Sequence, residues 1–205
     1  MPLDSSPINP KTKEHDALRC LEAHLYAQMN AGSFFTIIHA GNSDYLRLLH
    51  SLICQLLLDK RQVNVLDYTR SIKSVFLQQL LHQKTSNITR ILKHLHMHII
   101  LDEDHALNEL IRLQRRTPSK RKIPALFIID PSGLFRRMRG GVKQSAKALQ
   151  FQYEAAVLFA EHGYSVVVSD SGSQQFHRMD SLVPTQLANP ATLILQYLPR
   201  RIILT

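Results

Sequence analysis

Tryptophan is absent from the 205 residues, glycine occurs seven times and cysteine only twice. No apolar run nears the roughly 20 residues that a membrane-spanning helix needs. Each shortage excludes something. Cys20 and Cys54 both fall in helix-like patterns, where a thiol acts as a small apolar side chain. They point to an intracellular, reducing compartment and to no disulfide. There is no CxxC pair, no HExxH, and no Ser-His-Asp order with a nucleophile elbow. Thiol-redox, zincin and serine-hydrolase chemistry therefore have no carrier. Residues 1–10 are polar and Pro/Ser-rich, unlike a signal peptide.

Acidic residues are also scarce. Sixteen Asp and Glu face 25 Lys and Arg, a formal charge of +9. Such a balance favours polyanions, and without a basic amphipathic helix to lie on a bilayer, nucleic acid leads over membrane. The alternative is a basic globular domain with no such ligand.

What is present is an alternation of apolar runs and amphipathic stretches. Residues 1–13 read as a flexible tail. Helical spacing marks 14–30, 45–58, 75–93 with a break near Ser86, 103–115 and 144–161. Short apolar runs at 33–39, 62–67, 95–101, 123–130 and 164–169 read as strands, and 193–198 and 201–204 as two closing strands around Pro199. Near-continuous apolar strands alternating with helices predict one α/β domain over 14–205. Its sheet is mostly parallel and covered on both faces, with an antiparallel C-terminal edge. The stripe Leu46, Leu49, Ile53, Leu56 and Leu57 is predicted core, as are Leu149, Tyr153, Ala156, Val157 and Ala160.

The run Ile-Pro-Ala-Leu-Phe-Ile-Ile-Asp at 123–130 carries the most chemistry. A buried strand that ends in a carboxylate is the build of a Walker B segment, whose aspartate faces a nucleotide-bound Mg²⁺. Asp130 holds that place. The matching phosphate loop, GxxxxGK[ST], belongs between the first strand and its helix. There the chain reads His39-Ala40-Gly41-Asn42-Ser43-Asp44-Tyr45, with one glycine, no lysine, and a carboxylate that repels a triphosphate.

The order of elements, with the segments VLDYTRS, FIIDPSGLFRRMRGG and AKALQFQYEAAVLFAEHGYSVVVSDSG, resembles the core of RecA/RadA-type recombinases and their eukaryotic paralogues over residues 33–205. The resemblance implies a RecA-like core in which Asp130 is the Walker B aspartate. Thr69 stands where the family has a water-polarising glutamate. Phe135-Arg136 and Leu149-Gln150 fit further family segments, and the strand ending Ser169-Asp170-Ser171 takes the place of one that usually ends Thr-Asn-Gln. The family's short Phe-x-x-Ala oligomerisation motif is missing. With both catalytic features lost, the resemblance implies a non-catalytic accessory subunit without a cofactor of its own. Such a subunit pairs with a recombinase paralogue that has an intact Walker A and holds ATP and Mg²⁺. It binds DNA, assists recombinase filaments in homologous-recombination repair, and works in the nucleus. A divergent P-loop-type ATPase and a RecA-fold inhibitor that caps a filament are the alternatives.

Loops at the C-terminal edge of a parallel sheet gather ligands. Arg136, Arg137, Arg139 and Lys143 flank a glycine pair in one such loop, and Gln174 and Arg178 lie in another. The resemblance makes these the two DNA-binding loops, suited to single strands. Solvated basic loops are the alternative. Arg115, Arg116, Lys120, Arg121 and Lys122, with Arg112 before them, form an auxiliary basic cluster at the opposite edge. It is a nuclear-import signal, an auxiliary phosphate contact or a solvated loop. His94, His96 and His98 alternate on a strand, so they share one face. Three neighbours on a flat strand converge poorly on a tetrahedral ion, which favours a partly exposed edge strand over a metal site.

Overall fold

The structure, a computed structural model, describes residues 10–39, 43–116, 122–131, 142–171 and 201–204. Six strands are β1 (Phe34–His39), β2 (Val63–Asp67), β3 (Leu95–Ile99), β4 (Ala125–Ile129), β5 (Ser165–Ser171) and β6 (Arg201–Leu204). They form one sheet in the order β3-β2-β4-β5-β1-β6, and every pairing is parallel. Among the described residues six helices accompany them: α1 (Pro10–Asn30), α2 (Ser43–Leu58), α3 (Ser74–His82), α4 (Ile88–Leu92), α5 (Glu103–Gln114) and α6 (Val142–Ala160).

Alternation along the strands sorts side chains to two cores. Phe35, Ile37, Val63, Val65, Phe127 and Val167 pack with α1 to α4 on one face. Phe34, Leu66, Leu126, Ile128, Val166 and Val168 pack with α5 and α6 on the other. Burial on both faces is why the central strands read as unbroken apolar runs. In α2, Leu49, Ile53, Leu56 and Leu57 are fully buried and Leu46 packs at the core's margin, as the spacing predicts. Truncating any one of the buried leucines to alanine should cost about 2–5 kcal/mol. Among the described residues, no helix is long and apolar enough to cross a membrane.

Three readings of the sequence change. Among the described residues no antiparallel edge appears: β6 runs parallel to β1, Thr36 opposite Arg201 through His39 opposite Leu204. A turn at Pro199 would pair this strand with the run just before it. Instead it adds to the side of β1 that β5 leaves open, and residues 193–198 lie outside the described part. Second, α1 begins at Pro10, inside the segment read as a tail; proline suits a first helical turn, where its missing N–H has no partner to lose. Third, α6 buries Phe151, Ala155 and Leu158, at helical spacings of four and three, while Tyr153 is 65% exposed and Ala156 and Ala160 are exposed. The helix carries apolar residues around much of its circumference, so the sequence alone leaves its inward face ambiguous. The Phe151 ring settles it by meeting Tyr68 edge-on, 6.4 Å between centroids.

At the sheet's N-terminal edge Arg61, 3% exposed, fastens α1 to the sheet. Its guanidinium donates to the Ile123 carbonyl at 2.6 Å, to Asn30 Oδ1 at 2.6 Å and to the Met29 carbonyl at 3.1 Å. The planar fork thus supplies donors to acceptors at the end of α1, where helix carbonyls lack intrahelical partners.

Candidate functional site

Asp130 follows the last residue of β4 and adopts φ +52°, in the left-handed region that Asp and Asn tolerate better than most side chains. Its N–H donates to the Ser169 carbonyl of β5 at 2.7 Å, and the Tyr68 N–H beyond β2 donates to the Ile129 carbonyl at 3.3 Å. The turn carrying Asp130 is therefore held between β2 and β5 at the C-terminal edge. Ser169 also meets the first turn of α2, its Oγ 2.7 Å from Tyr45 Oη. Residues 40–42 and the Asp44 side chain, where a phosphate loop is sought, lie outside the described part.

The end of β2 is organised by a carboxylate. Asp67, 2% exposed, accepts from the Thr69 N–H at 3.0 Å, the Thr69 hydroxyl at 3.2 Å and the Ile72 N–H at 2.8 Å. This is an Asx-type turn, in which a short side chain replaces backbone partners. Thr69 Oγ1 also lies 2.5 Å from Ser71 Oγ. The Thr69 hydroxyl is thus engaged within its own loop. Arg70 takes φ +57° there, and its carbonyl accepts from Lys73 Nζ at 2.8 Å.

His50 ties this loop to α2. Its Nδ1 lies 2.6 Å from the Leu46 carbonyl and its Nε2 accepts the Lys73 N–H at 3.1 Å. Both contacts are satisfied only by the neutral Nδ1–H tautomer. Burial pushes its pKa below the usual histidine value, against the opposing pull of the Leu46 carbonyl and Asp67. The sequence offered no signal for this histidine, which sits on the apolar helix α2.

Arg136, Arg137, Arg139, Gln174 and Arg178 lie outside the described residues. Lys143 is placed by backbone alone, in the first turn of α6. In the auxiliary cluster, Arg115 caps the C-terminus of α5 and Arg116 follows it; the helix runs back from the end of β3 and so brings them to the N-terminal edge. Lys122 donates to the Asp59 carbonyl at that edge, and Lys120 and Arg121 lie outside the described residues.

β3 is an edge strand and partly exposed, as its polar alternation predicts. Leu95 and Met97 turn to the α1–α4 core, and the histidines turn to α5. His98 Nδ1 lies 3.5 Å from Glu109 Oε2, and His98 Nε2 lies 3.1 Å from Arg112, whose guanidinium also pairs with Glu109 at 2.5 Å. Burial, helped by Arg116, Arg112 and His94, holds His96 below its usual pKa. His98 is likewise lowered by burial, with Glu109 opposing. No group of three or more His, Cys, Asp or Glu among the described residues could hold a metal ion. The structure thus joins two features read separately in the sequence, because α5 folds its basic C-terminal end back along the histidine strand.

A cavity of about 320 Å³ opens where β2 and β3 end, lined by Asp67, Arg70, Lys73, Met97 and His98. The connections of these strands leave to opposite faces, α3 to one and α5 to the other, which is where open α/β sheets form ligand crevices. Compared with protein-family profiles and with curated proteins, the sequence matches none.

Proposed function

We propose that the chain is a non-catalytic, recombinase-paralogue-like subunit built on a RecA-like core. It pairs with an ATP-binding paralogue, contacts single-stranded DNA, and assists assembly or remodelling of recombinase filaments in homologous-recombination repair in the nucleus. One observation supports the reading: Asp130 stands directly after a fully buried parallel strand at the C-terminal edge, anchored to β5, while Thr69, which the resemblance sets in the water-polarising place, has its hydroxyl engaged in its own loop. The stretch before α2 adds support, having one glycine, no lysine and Asp44. A Walker B carboxylate without a lysine or a water-polarising carboxylate has no hydrolytic work of its own. It can still order the 131–143 loop or meet a partner's nucleotide.

The test has two arms. Calorimetry of the isolated chain with ATP and Mg²⁺ should give no binding and no turnover; micromolar affinity with Mg²⁺-dependent hydrolysis would overturn the reading. Asp130→Asn keeps the left-handed turn and removes the charge. It should weaken capture of a Walker A-bearing partner from a recombination-proficient extract, while leaving the melting temperature unchanged. Undiminished capture would reduce Asp130 to a relic.

A further inference from the structure

The corner where β3 meets the end of α5 gathers three arginines and three histidines. Arg112 comes from α5, Arg115 and Arg116 from its C-terminal cap, and His94, His96 and His98 from the strand and its approach. Among the described residues Glu109 is the carboxylate paired with them, engaged by Arg112 and His98. Glu154 of α6 is turned to the Gln114 amide at 2.6 Å. Arg115 is exposed and Arg116 partly so, and neither pairs with a carboxylate among the described residues. Arg112 and Arg116 stand close enough to disfavour charge on His96 and to act on Tyr164 at the start of β5. The guanidiniums thus cluster across the N-terminal end of the sheet. Two guanidiniums held side by side at the end of a helix, without a carboxylate partner among the described residues, call for an external anion.

Geometry narrows the anion. Alternate residues on a strand stand about 6.6 Å apart, which resembles the step between phosphates of an extended nucleic-acid strand. The row runs along β3, which is the edge of the sheet among the described residues. Among the described residues, the exposed apolar Ile99 and Leu101 lie at the strand's C-terminal end, away from Arg115 and Arg116, which favours a polyanion over a bilayer surface. We propose that this histidine–arginine corner binds the phosphate backbone of a nucleic-acid single strand, with Arg115 and Arg116 as the permanent charges and His96 as a contact that strengthens when protonated. The site is separate from the C-terminal-edge loops and does not depend on them.

The test is fluorescence anisotropy of the full chain with a labelled oligothymidine, over a salt series at pH 6 and pH 8. Arg115→Ala with Arg116→Ala should lower the magnitude of the log K against log salt slope by about 1.4, at roughly 0.7 per lost contact. The parent should bind roughly threefold tighter at pH 6 than at pH 8, and His96→Gln should remove that gain while leaving pH 8 affinity unchanged. Arg19→Ala with Arg90→Ala removes equal charge from α1 and α4 on the other face. An equal loss there, an unchanged slope in the corner double variant, or a retained pH gain in His96→Gln would each overturn the proposal, as would preference for anionic vesicles over the oligonucleotide. Arg136→Ala with Arg137→Ala and Arg139→Ala reports on the C-terminal-edge loop alone. A loss confined to that variant would sustain the loop reading and remove the corner; a loss confined to the corner variant would do the reverse.

Discussion

The hydroxyls of Tyr45 and Ser169 lie 2.7 Å apart although 124 residues separate them in the chain. Both residues are buried, so the contact replaces water that neither could reach. It fixes the first turn of α2 against the end of β5, and β5 in turn holds the Asp130 turn through the Ser169 carbonyl. Tyr45→Phe and Ser169→Ala should each lower stability by about 1 kcal/mol. The double variant should lose clearly less than the sum, with an interaction energy of about 1 kcal/mol in chemical denaturation. Strict additivity would show that the two hydroxyls are not coupled.

Asp67 should matter far more than the loop residues it holds. Asp67→Ala leaves the buried Ile72 N–H and the Thr69 N–H without their acceptor. The expected loss is about 2–3 kcal/mol, with faster proteolytic nicking between residues 68 and 73. Thr69→Ala, at an exposed position, should cost about 0.5 kcal/mol and leave nicking unchanged. If the two variants lose the same stability, the carboxylate is not what organises the loop.

His50 builds an acid sensitivity into the same loop. Its folded pKa lies below the usual value of about 6.5 because burial disfavours the cation. The unfolded chain therefore takes up a proton first as pH falls. Stability is complete above about 6.5 and declines as the pH drops toward the folded value. His96 and His98, lowered in the same sense, add to that slope. His50→Gln should reduce, not abolish, the slope of unfolding free energy between pH 7 and pH 5. Protonation also removes the acceptor for the Lys73 N–H, so amide exchange at Lys73 should speed up relative to its neighbours in acid.

The strands and helices were legible where one signal dominated. The 123–130 run, apolar on both faces, could only be a covered strand, and the leucine spacing of α2 left a single inward face. The strand Arg201–Leu204 misled because the residues beside Pro199 suggest a local hairpin, whereas its partner β1 lies far back in the chain. In α6, apolar residues around most of the helix hid which side is buried until Phe151 met Tyr68. Asp130 and Asp67 could be located from strand ends alone. The tie from His50 to Lys73 and the approach of Arg116 to His96 could not, since each joins elements whose packing no local pattern encodes.

Asn64 offers a test in which removing polarity should help. It lies in β2 between β3 and β4, opposite His96 and Leu126, and is fully buried. Its amide nitrogen reaches the Ala125 carbonyl only at 3.5 Å, and its Oδ1 has no partner. A buried acceptor left unpaired costs about 1–3 kcal/mol, so an apolar side chain of similar size removes a penalty and loses only one long hydrogen bond. Asn64→Leu should raise stability by about 1 kcal/mol, read as a higher urea midpoint at unchanged slope. Asn64→Asp should lower it strongly by burying a charge. A loss of stability in Asn64→Leu would mean that Oδ1 is bonded in solution, and the His96 ring on the neighbouring strand is the group to examine. In that event Asn64→Leu would also change the His96 titration followed by NMR, whereas relief of an orphaned acceptor leaves that titration where it was.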